Sequence, residues 1–219
     1  MSDPTFRPLA GVRVLEFGQI VTAPFCSLLL ADFGADVVKV ENPEGGDGMR
    51  QWPPLMQESD GGERFSGNFA SLNRNKRSLV ADLKDSQQVQ RLRELCASAD
   101  IVLENFRPGV MDRLGLGYET LRERNPRLIY CSLTGYGQTG PYAKKGAFDV
   151  TVQAISGVMS VTGEEDGPPV KCGVPVADFT AGLYAAYSSL AAYEQAKRTG
   201  QGTHVDCSML GCMLGISAL

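Results

Sequence analysis

The stretch from Val12 to Glu41 constrains the fold of this chain more than any other. Val12 to Phe17 (VRVLEF) is an apolar run that predicts a buried strand. Gly18 to Pro24 turns the chain. Phe25 to Phe33 carries Leu28, Leu29 and Leu30 and predicts a helix, which Gly34 stops. Asp36 to Glu41 (DVVKVE) predicts a second strand. A strand, a helix and a strand within about 30 residues form a βαβ unit, and its two strands must run parallel.

The rest of the chain repeats that alternation. Ser78 to Leu83 predicts a third strand. Asp85 is placed to cap a helix over Ser86 to Ser98, whose Val89, Leu92, Leu95 and Cys96 share one face. Asp100 to Leu103 predicts a fourth strand, followed by short helices over Val110 to Leu114 and Tyr118 to Arg124. Arg127 to Leu133 predicts a fifth strand. Helices follow over Asp149 to Met159 and, rich in alanine, over Phe179 to Lys197, before a last strand from Thr203 to Cys207. The pattern predicts an α/β fold, a doubly wound, Rossmann-like parallel sheet with helices on both faces. Asn42 to Asn75, rich in Gly, Pro and polar residues, reads as a long surface loop. The tail from Met209 to Leu219 is almost wholly apolar and has no polar cap, so the chain is expected to continue beyond it.

Composition removes several function classes. With 219 residues, 43% hydrophobic and 21% charged, the chain can bury a core and is not disordered. Twelve prolines and 25 glycines do not suit a coiled coil. A net charge of −4 rules out a whole-molecule electrostatic nucleic-acid binder, so any basic site is local. One histidine, His204, read as a strand-surface residue, argues against a His-rich metal site and a Ser/His/Asp triad. The six cysteines form no CxxC pair and read as reduced core thiols of a reducing compartment. No apolar run reaches the roughly 18 residues of a membrane span, and residues 1–13 hold no apolar signal core. The expectation is a soluble, cytoplasmic protein with no metal and no nucleic-acid or membrane partner.

Four segments could carry chemistry. The turn after the first strand, Gly18 to Pro24, has one glycine where a dinucleotide fingerprint needs three, and no P-loop occurs anywhere. The turn still lies at the carboxyl end of a strand, where α/β sheets bind ligands. Asn73 to Arg77 holds three cations in four residues and is either a solvated loop or an anion site. Asn105 to Gly109 offers an amide, an aromatic face and a guanidinium, or is an ordinary Pro-Gly turn. Asp178, set among apolar residues before a helix, is a helix N-cap, a nucleophilic carboxylate steadied by the helix dipole, or both.

Together these segments resemble the family III CoA-transferases, the group of formyl-CoA:oxalate and carnitine CoA-transferases. The matching stretches are PLAGVRVLEFGQIVTAPFCSLLLADFGADVVKVENPEGGD at 8–47, NRNKRSLVADLK at 73–84 and ADIVLENFRPGVMDRLGLGYETLRERNPRLIYCSLTGYGQTGPY at 99–142. GEEDGPPVKCGVPVADFTAGLYAA at 163–186 and KRTGQGTHVDCSML at 197–210 complete the match. The resemblance covers essentially the whole chain.

The resemblance implies that Asp178 attacks an acyl-CoA thioester, giving an aspartyl-acyl anhydride and then an aspartyl-CoA thioester that a second carboxylic acid resolves. It implies no metal or redox cofactor, CoA being a substrate. Gln19, Ile20, Val21 and Thr22 would follow the pantetheine and thioester. Asn75, Lys76 and Arg77 would face the nucleotide phosphates. Asn105, Phe106, Arg113 and Leu114 would line the adenine and pantetheine channel, with Lys144 or Lys145 reaching a phosphate. Asp149 would lie near the reacting carboxylate, or cap a helix.

The family's chains are roughly twice as long and interlock as rings in a homodimer. Residues 1–219 therefore correspond to the N-terminal part of its large CoA-binding domain, without the C-terminal half. A non-catalytic CoA-binding or assembly fragment is the alternative that follows. Related α-methylacyl-CoA racemases, which share the fold, need a histidine where this chain has Phe148, so that reading is disfavoured.

Overall fold

The computed structural model describes residues 6–57 and 61–217. Residues 1–5 of the N-terminal segment, 58–60 of the expected loop and the last two of the apolar tail lie outside the described residues. In chain order the elements begin with β1 (Arg13–Glu16), α1 (Thr22–Asp32), β2 (Asp36–Glu41), β3 (Leu55–Gln57) and β4 (Arg64–Ser66). There follow α2 (Gly67–Asn73), β5 (Lys76–Val80), α3 (Ser86–Ser98), β6 (Ile101–Glu104), α4 (Val110–Arg113) and α5 (Tyr118–Arg122). The remainder is β7 (Ile129–Thr134), α6 (Asp149–Ile155), α7 (Val176–Thr199), β8 (Thr203–Ser208) and α8 (Met209–Ile216).

Six parallel strands form one sheet in the order β5-β2-β1-β6-β7-β8. Numbered within the sheet alone, that is the 3-2-1-4-5-6 order of a doubly wound fold, which reverses direction between β1 and β6. The carboxyl ends of those two strands frame a crevice.

Both faces are covered. On one, α1, α7 and α8 pack Cys26, Leu30, Ala181, Ala185 and Met213 against Val14, Ile101 and Cys131. On the other, α3, α4 and α5 pack Leu92, Cys96, Met111 and Leu121 against Leu15, Val102 and Tyr130. Local signals set the helix ends where expected: Asp85 accepts from the amides of Gln87 and Gln88. Gly34, at φ +95°, closes α1.

The close approach of α7 to α1 rests on small side chains. A Cβ at Gly182 would stand 2.9 Å from the Thr22 carbonyl oxygen and 2.9 Å from the Phe25 ring. Ala177, Ala181 and Ala185 are fully buried along the same helix, and Phe25 meets Phe179 edge-on at 4.8 Å. The two helix N-termini are thereby drawn together.

Three expectations need correction. The segment 42–75 is not a plain loop. It holds a 3₁₀ turn (Gly48–Gln51), the antiparallel β3–β4 ribbon and α2, because Met49 and Leu72 close an apolar cluster with Val21 and Leu28. The third parallel strand begins at Lys76, not Ser78. Finally, α7 begins at Val176, so Asp178 lies within its first turn and is not its N-cap. A carboxylate from another element satisfies the end of α7, as described next, so the helix starts earlier than its own sequence predicts.

Candidate active site

The loop leaving β1 is fixed from three sides. Asn105, just past β6, grips the Gln19 backbone twice: its Oδ1 accepts from the Gln19 amide at 2.9 Å and its Nδ2 donates to the Gln19 carbonyl at 2.8 Å. Ile20 holds φ +66°, a conformation that disfavours a β-branched residue. Its amide donates to both oxygens of Asp47 at 3.1 Å, which holds the backbone there. Gly18 has no room for a side chain, since a Cβ would collide with Ala23.

Beneath the loop lies a buried charge network. Lys39 binds Glu16 at 2.8 Å and Asp47 at 2.9 Å, and Lys76 binds Glu16 at 3.0 Å. All four side chains are at most 2% exposed. Lys39 also donates to the Gly18 carbonyl at 2.6 Å, and Lys76 to the Pro24 carbonyl at 2.8 Å. Burial alone would push Glu16 up, yet the two ammonium groups bring it below its ordinary value. Lys76 goes the other way: burial and its neighbour Lys39 outweigh Glu16 and leave it low.

The loop ends at Thr22, whose hydroxyl donates to Asp178 Oδ1 at 2.5 Å. Asp178 is half-buried in the first turn of the 24-residue α7. Its carboxyl is pushed up to about 6: burial raises it most, the Thr22 hydroxyl pulls it back, and Asp149 adds repulsion. No cation pairs with it among the described residues. Asp149, first residue of α6, accepts from the amides of Ala177 at 2.7 Å and Asp178 at 3.2 Å. It thus caps α7 from outside. Gln153, fully buried, donates to the other Asp149 oxygen and accepts from the Cys172 amide at 2.8 Å. The arrangement is a weakly solvated carboxylate beside the crevice, steadied by one hydroxyl and a helix N-terminus.

The structure brings together Gln19, Ile20, Val21, Thr22, Asn105, Phe106, Asp149 and Asp178, mostly through direct hydrogen bonds. It does not add the basic cluster. Asn75, Lys76 and Arg77 open β5 at its amino end, whereas the crevice lies at carboxyl ends. Lys76 is committed inside the charge network, which corrects the expectation of a phosphate-facing ammonium. Asn75 bonds Asp32 at 2.9 Å and Arg77 bonds Asp36 at 2.6 Å on the surface. Arg113 is exposed at the end of α4, and Leu114 is half-buried against the apolar cluster on that face of the sheet. Lys145 lies 3.8 Å over the Tyr142 ring, with Lys144 exposed. Phe148 precedes α6 and is 76% exposed.

Sequence reasoning passed over Glu16, Lys39 and Asp47. The signal was present: a lysine and a glutamate within strands covered on both faces demand buried partners. Five cysteines are buried, Cys172 is half-buried, and all six are free thiols. Among the described residues no three His, Cys, Asp or Glu side chains gather as a metal would require. No described helix is long and apolar enough to cross a membrane.

Fold and site define a doubly wound α/β protein that has dispensed with the glycine fingerprint and set a carboxylate at its switch-point crevice. The chain belongs to CoA-transferase family III, whose model matches residues 9–218. It is 47% identical over 212 residues to a succinate–glutarate CoA-transferase of Agrobacterium fabrum, covering 96% of this chain and 53% of that one. It is 40% identical to the mouse succinyl-CoA:glutarate CoA-transferase, covering 98% and 49%. A solved CAIB/BAIF family protein from Brucella suis superposes with TM-score 0.92 at 44% identity, over 96% of this chain and 55% of that one. The chain thus spans about half the length of the curated relatives it matches.

Proposed function

We propose that the chain carries the nucleophile and much of the CoA cradle of an enzyme that moves CoA from an acyl-CoA to a carboxylic acid. The observation that carries this reading is Asp178: a half-buried carboxylate without a cation, held by Thr22 at the first turn of α7. A carboxylate stripped of part of its hydration and left unpaired is a better nucleophile than one locked in a salt bridge.

In this reading Asp178 attacks the thioester carbonyl and CoA thiolate leaves, giving a mixed anhydride. The thiolate attacks the aspartyl carbonyl and releases the donor acid, leaving an aspartyl-CoA thioester. The acceptor carboxylate attacks that thioester and expels the thiolate again. Attack of the thiolate on the acceptor's acyl carbon then forms the new acyl-CoA and frees Asp178. Each step is an acyl transfer between oxygen and sulfur with no change of oxidation state, so the reading calls on no redox chemistry. The pantetheine arm would run along Gln19 to Thr22 and past Asn105 and Phe106, at the switch point where doubly wound sheets bind ligands. Arg113 and Lys145 are surface groups that would meet the nucleotide only at the rim, while Asn75 and Arg77, at the amino end of β5, stay paired with Asp32 and Asp36.

Short dicarboxylates are the proposed acids, succinyl-CoA the proposed donor, because the relatives above are named for succinate and glutarate. A homodimer is the proposed assembly. The exposed Leu183, Tyr187 and Leu214 of α7 and α8 supply apolar surface for further chain or a partner. The reaction needs no membrane and fits a cytoplasmic setting.

The test is a trapping experiment. The chain is incubated with succinyl-CoA and glutarate, treated with hydroxylamine or borohydride, and weighed intact. The expected result is a mass change located at Asp178 and absent from Asp178→Ala. An unchanged mass with CoA still bound would reject the chain as a self-sufficient nucleophile and favour the CoA-binding fragment.

A further inference from the structure

Another buried carboxyl lies outside the route described for CoA. Glu104, the last residue of β6, is 4% exposed. Its Oε2 accepts from the Phe106 amide at 2.8 Å. Ser132 of β7 stands opposite it in the strand register, and the Ser132 hydroxyl lies 2.9 Å from Nε2 of His204 on β8. These groups line a cavity of about 190 Å³ that also meets Tyr130, Gln138 and Arg107. The cavity gives protons a route to an otherwise enclosed side chain. Within it the Tyr130 hydroxyl and Gln138 Nε2 have no hydrogen-bond partner among the described residues.

We propose that Glu104 is a positioning residue. Bonded to the Phe106 amide on one side and set on the other beside Ser132, which reaches His204, it sets the Asn105–Phe106 turn, and through Asn105 the Gln19 loop, according to its own protonation. Ionised Glu104 accepts from both the Phe106 amide and the Ser132 hydroxyl, and His204 then donates Nε2–H to Ser132. Once protonated, Glu104 donates to Ser132, whose hydroxyl turns to donate to His204 Nε2; the ring proton must then reside on Nδ1. The Phe106 bond loses its charge assistance and weakens.

The titratable groups around Glu104 come from every neighbouring element: Asp112 of α4, Glu119 of α5, Tyr130 of β7, His204 and Asp206 of β8, and Arg107 in the turn, with Cys131 on the far face of β7. Burial raises the carboxyl most, Ser132 and the Phe106 amide pull it back, and Asp112 and Asp206 push it up, to about 7. Burial pushes His204 below its ordinary range, so its own ionisation falls elsewhere on the pH scale.

His204 is the chain's one histidine and gives one unambiguous set of ring signals. The experiment is a pH titration of the ¹⁵N-labelled chain, following the Phe106 and Gln19 amides and the His204 ring nitrogens. The expected result is a shared midpoint near 7, with His204 passing from Nε2–H to Nδ1–H as pH falls. Glu104→Gln should remove that midpoint from all three probes. Ser132→Ala should keep it at Phe106 and lose it at His204, and this variant tests the relay even where Glu104→Gln folds poorly. A Phe106 amide that does not titrate near 7, a Gln19 amide that does not follow it, or a midpoint unchanged in Glu104→Gln would overturn the proposal. The consequence for CoA rests on the reading of the crevice above. CoA affinity should fall several-fold from pH 8 to 6 and be flat in Glu104→Gln. A chain that binds no CoA at either pH would sink that reading while leaving the amide titration as the independent test of Glu104.

Discussion

Glu16 stands at the start of the loop that leaves β1 and Asp178 meets that loop's end through Thr22, and the fold treats the two carboxylates oppositely. Glu16 is fully enclosed, yet two lysines and the Ser27 hydroxyl keep it ionised below its ordinary range. Asp178 is less enclosed but has no cation, and its carboxyl rises to about 6. Burial by itself therefore does not decide the charge state; the partner does. The lysines beside Glu16 are spent on holding the Gly18–Thr22 loop in shape. Asp178, which a lysine would render inert, is left with one hydroxyl. One region uses charge to build, and the other withholds compensation so that a group can react.

The largest effect should come from breaking the network. Lys39→Met leaves Glu16 with Lys76 alone and Asp47 buried without an ammonium, and should destabilise the chain by about 3–5 kcal/mol in urea unfolding. A loss under about 1 kcal/mol would mean the network adds shape and not stability. Lys39→Arg, though charged, should not fully rescue, because a planar fork cannot reach Glu16, Asp47 and the Gly18 carbonyl together.

Next comes the uncompensated carboxylate. The folded chain holds the Asp178 proton more tightly than the unfolded chain, whose ordinary value is 3.8 against about 6 when folded. This group's contribution is therefore fully present below about pH 4 and is lost as pH rises through about 6. At about 1.4 kcal/mol per unit, the loss is at most about 3 kcal/mol. Asp178→Asn should remove that slope and match or exceed the parent's stability at pH 7, while trapping no adduct. A parent whose stability rises across this window relative to the Asn variant would reverse the comparison.

A smaller change sharpens it. Thr22→Val deletes the one hydroxyl that Asp178 accepts from, so its pKa should climb further, with a stability loss of about 1 kcal/mol at pH 7. Carbon-detected titration of the Asp178 carboxyl reads the shift directly, and Thr22→Ser should restore the parent value. The smallest effect belongs to the surface. Arg77→Ala removes an ion pair whose side chains are 67% and 47% exposed, and unfolding midpoints should move by no more than ~0.5 kcal/mol.

Much of the fold was legible because strand and helix periodicity, Asp85 and Gly34 are local signals. The parallel sheet and its two covered faces follow from VRVLEF, DVVKVE and IVLE with their intervening helices. What failed to show was longer in range. Met49 and Leu72 look like scattered apolar residues in a polar stretch until Val21 and Leu28 meet them. Asp178 resembled an N-cap because nothing near it in sequence reveals that Asp149, 29 residues earlier, caps that helix. Lys76 looked like a phosphate ligand because three cations within four residues carry no mark of which one is buried.

The alternation of elements and the crevice at the end of β1 were readable from residues a few positions apart, and the resemblance, with Asp178 as the carboxylate to watch, from motifs spread over residues 8–210. Which charges are spent and which are free became readable only once the chain was folded. Lys39 and Lys76 turn inward to Glu16, Asp47 closes on Ile20, Asn105 clamps Gln19, and Asp178 keeps Thr22 as its single side-chain donor. The physical reason is that a charge is governed by the few ångströms around it, and those neighbours arrive from strands and helices far apart along the chain.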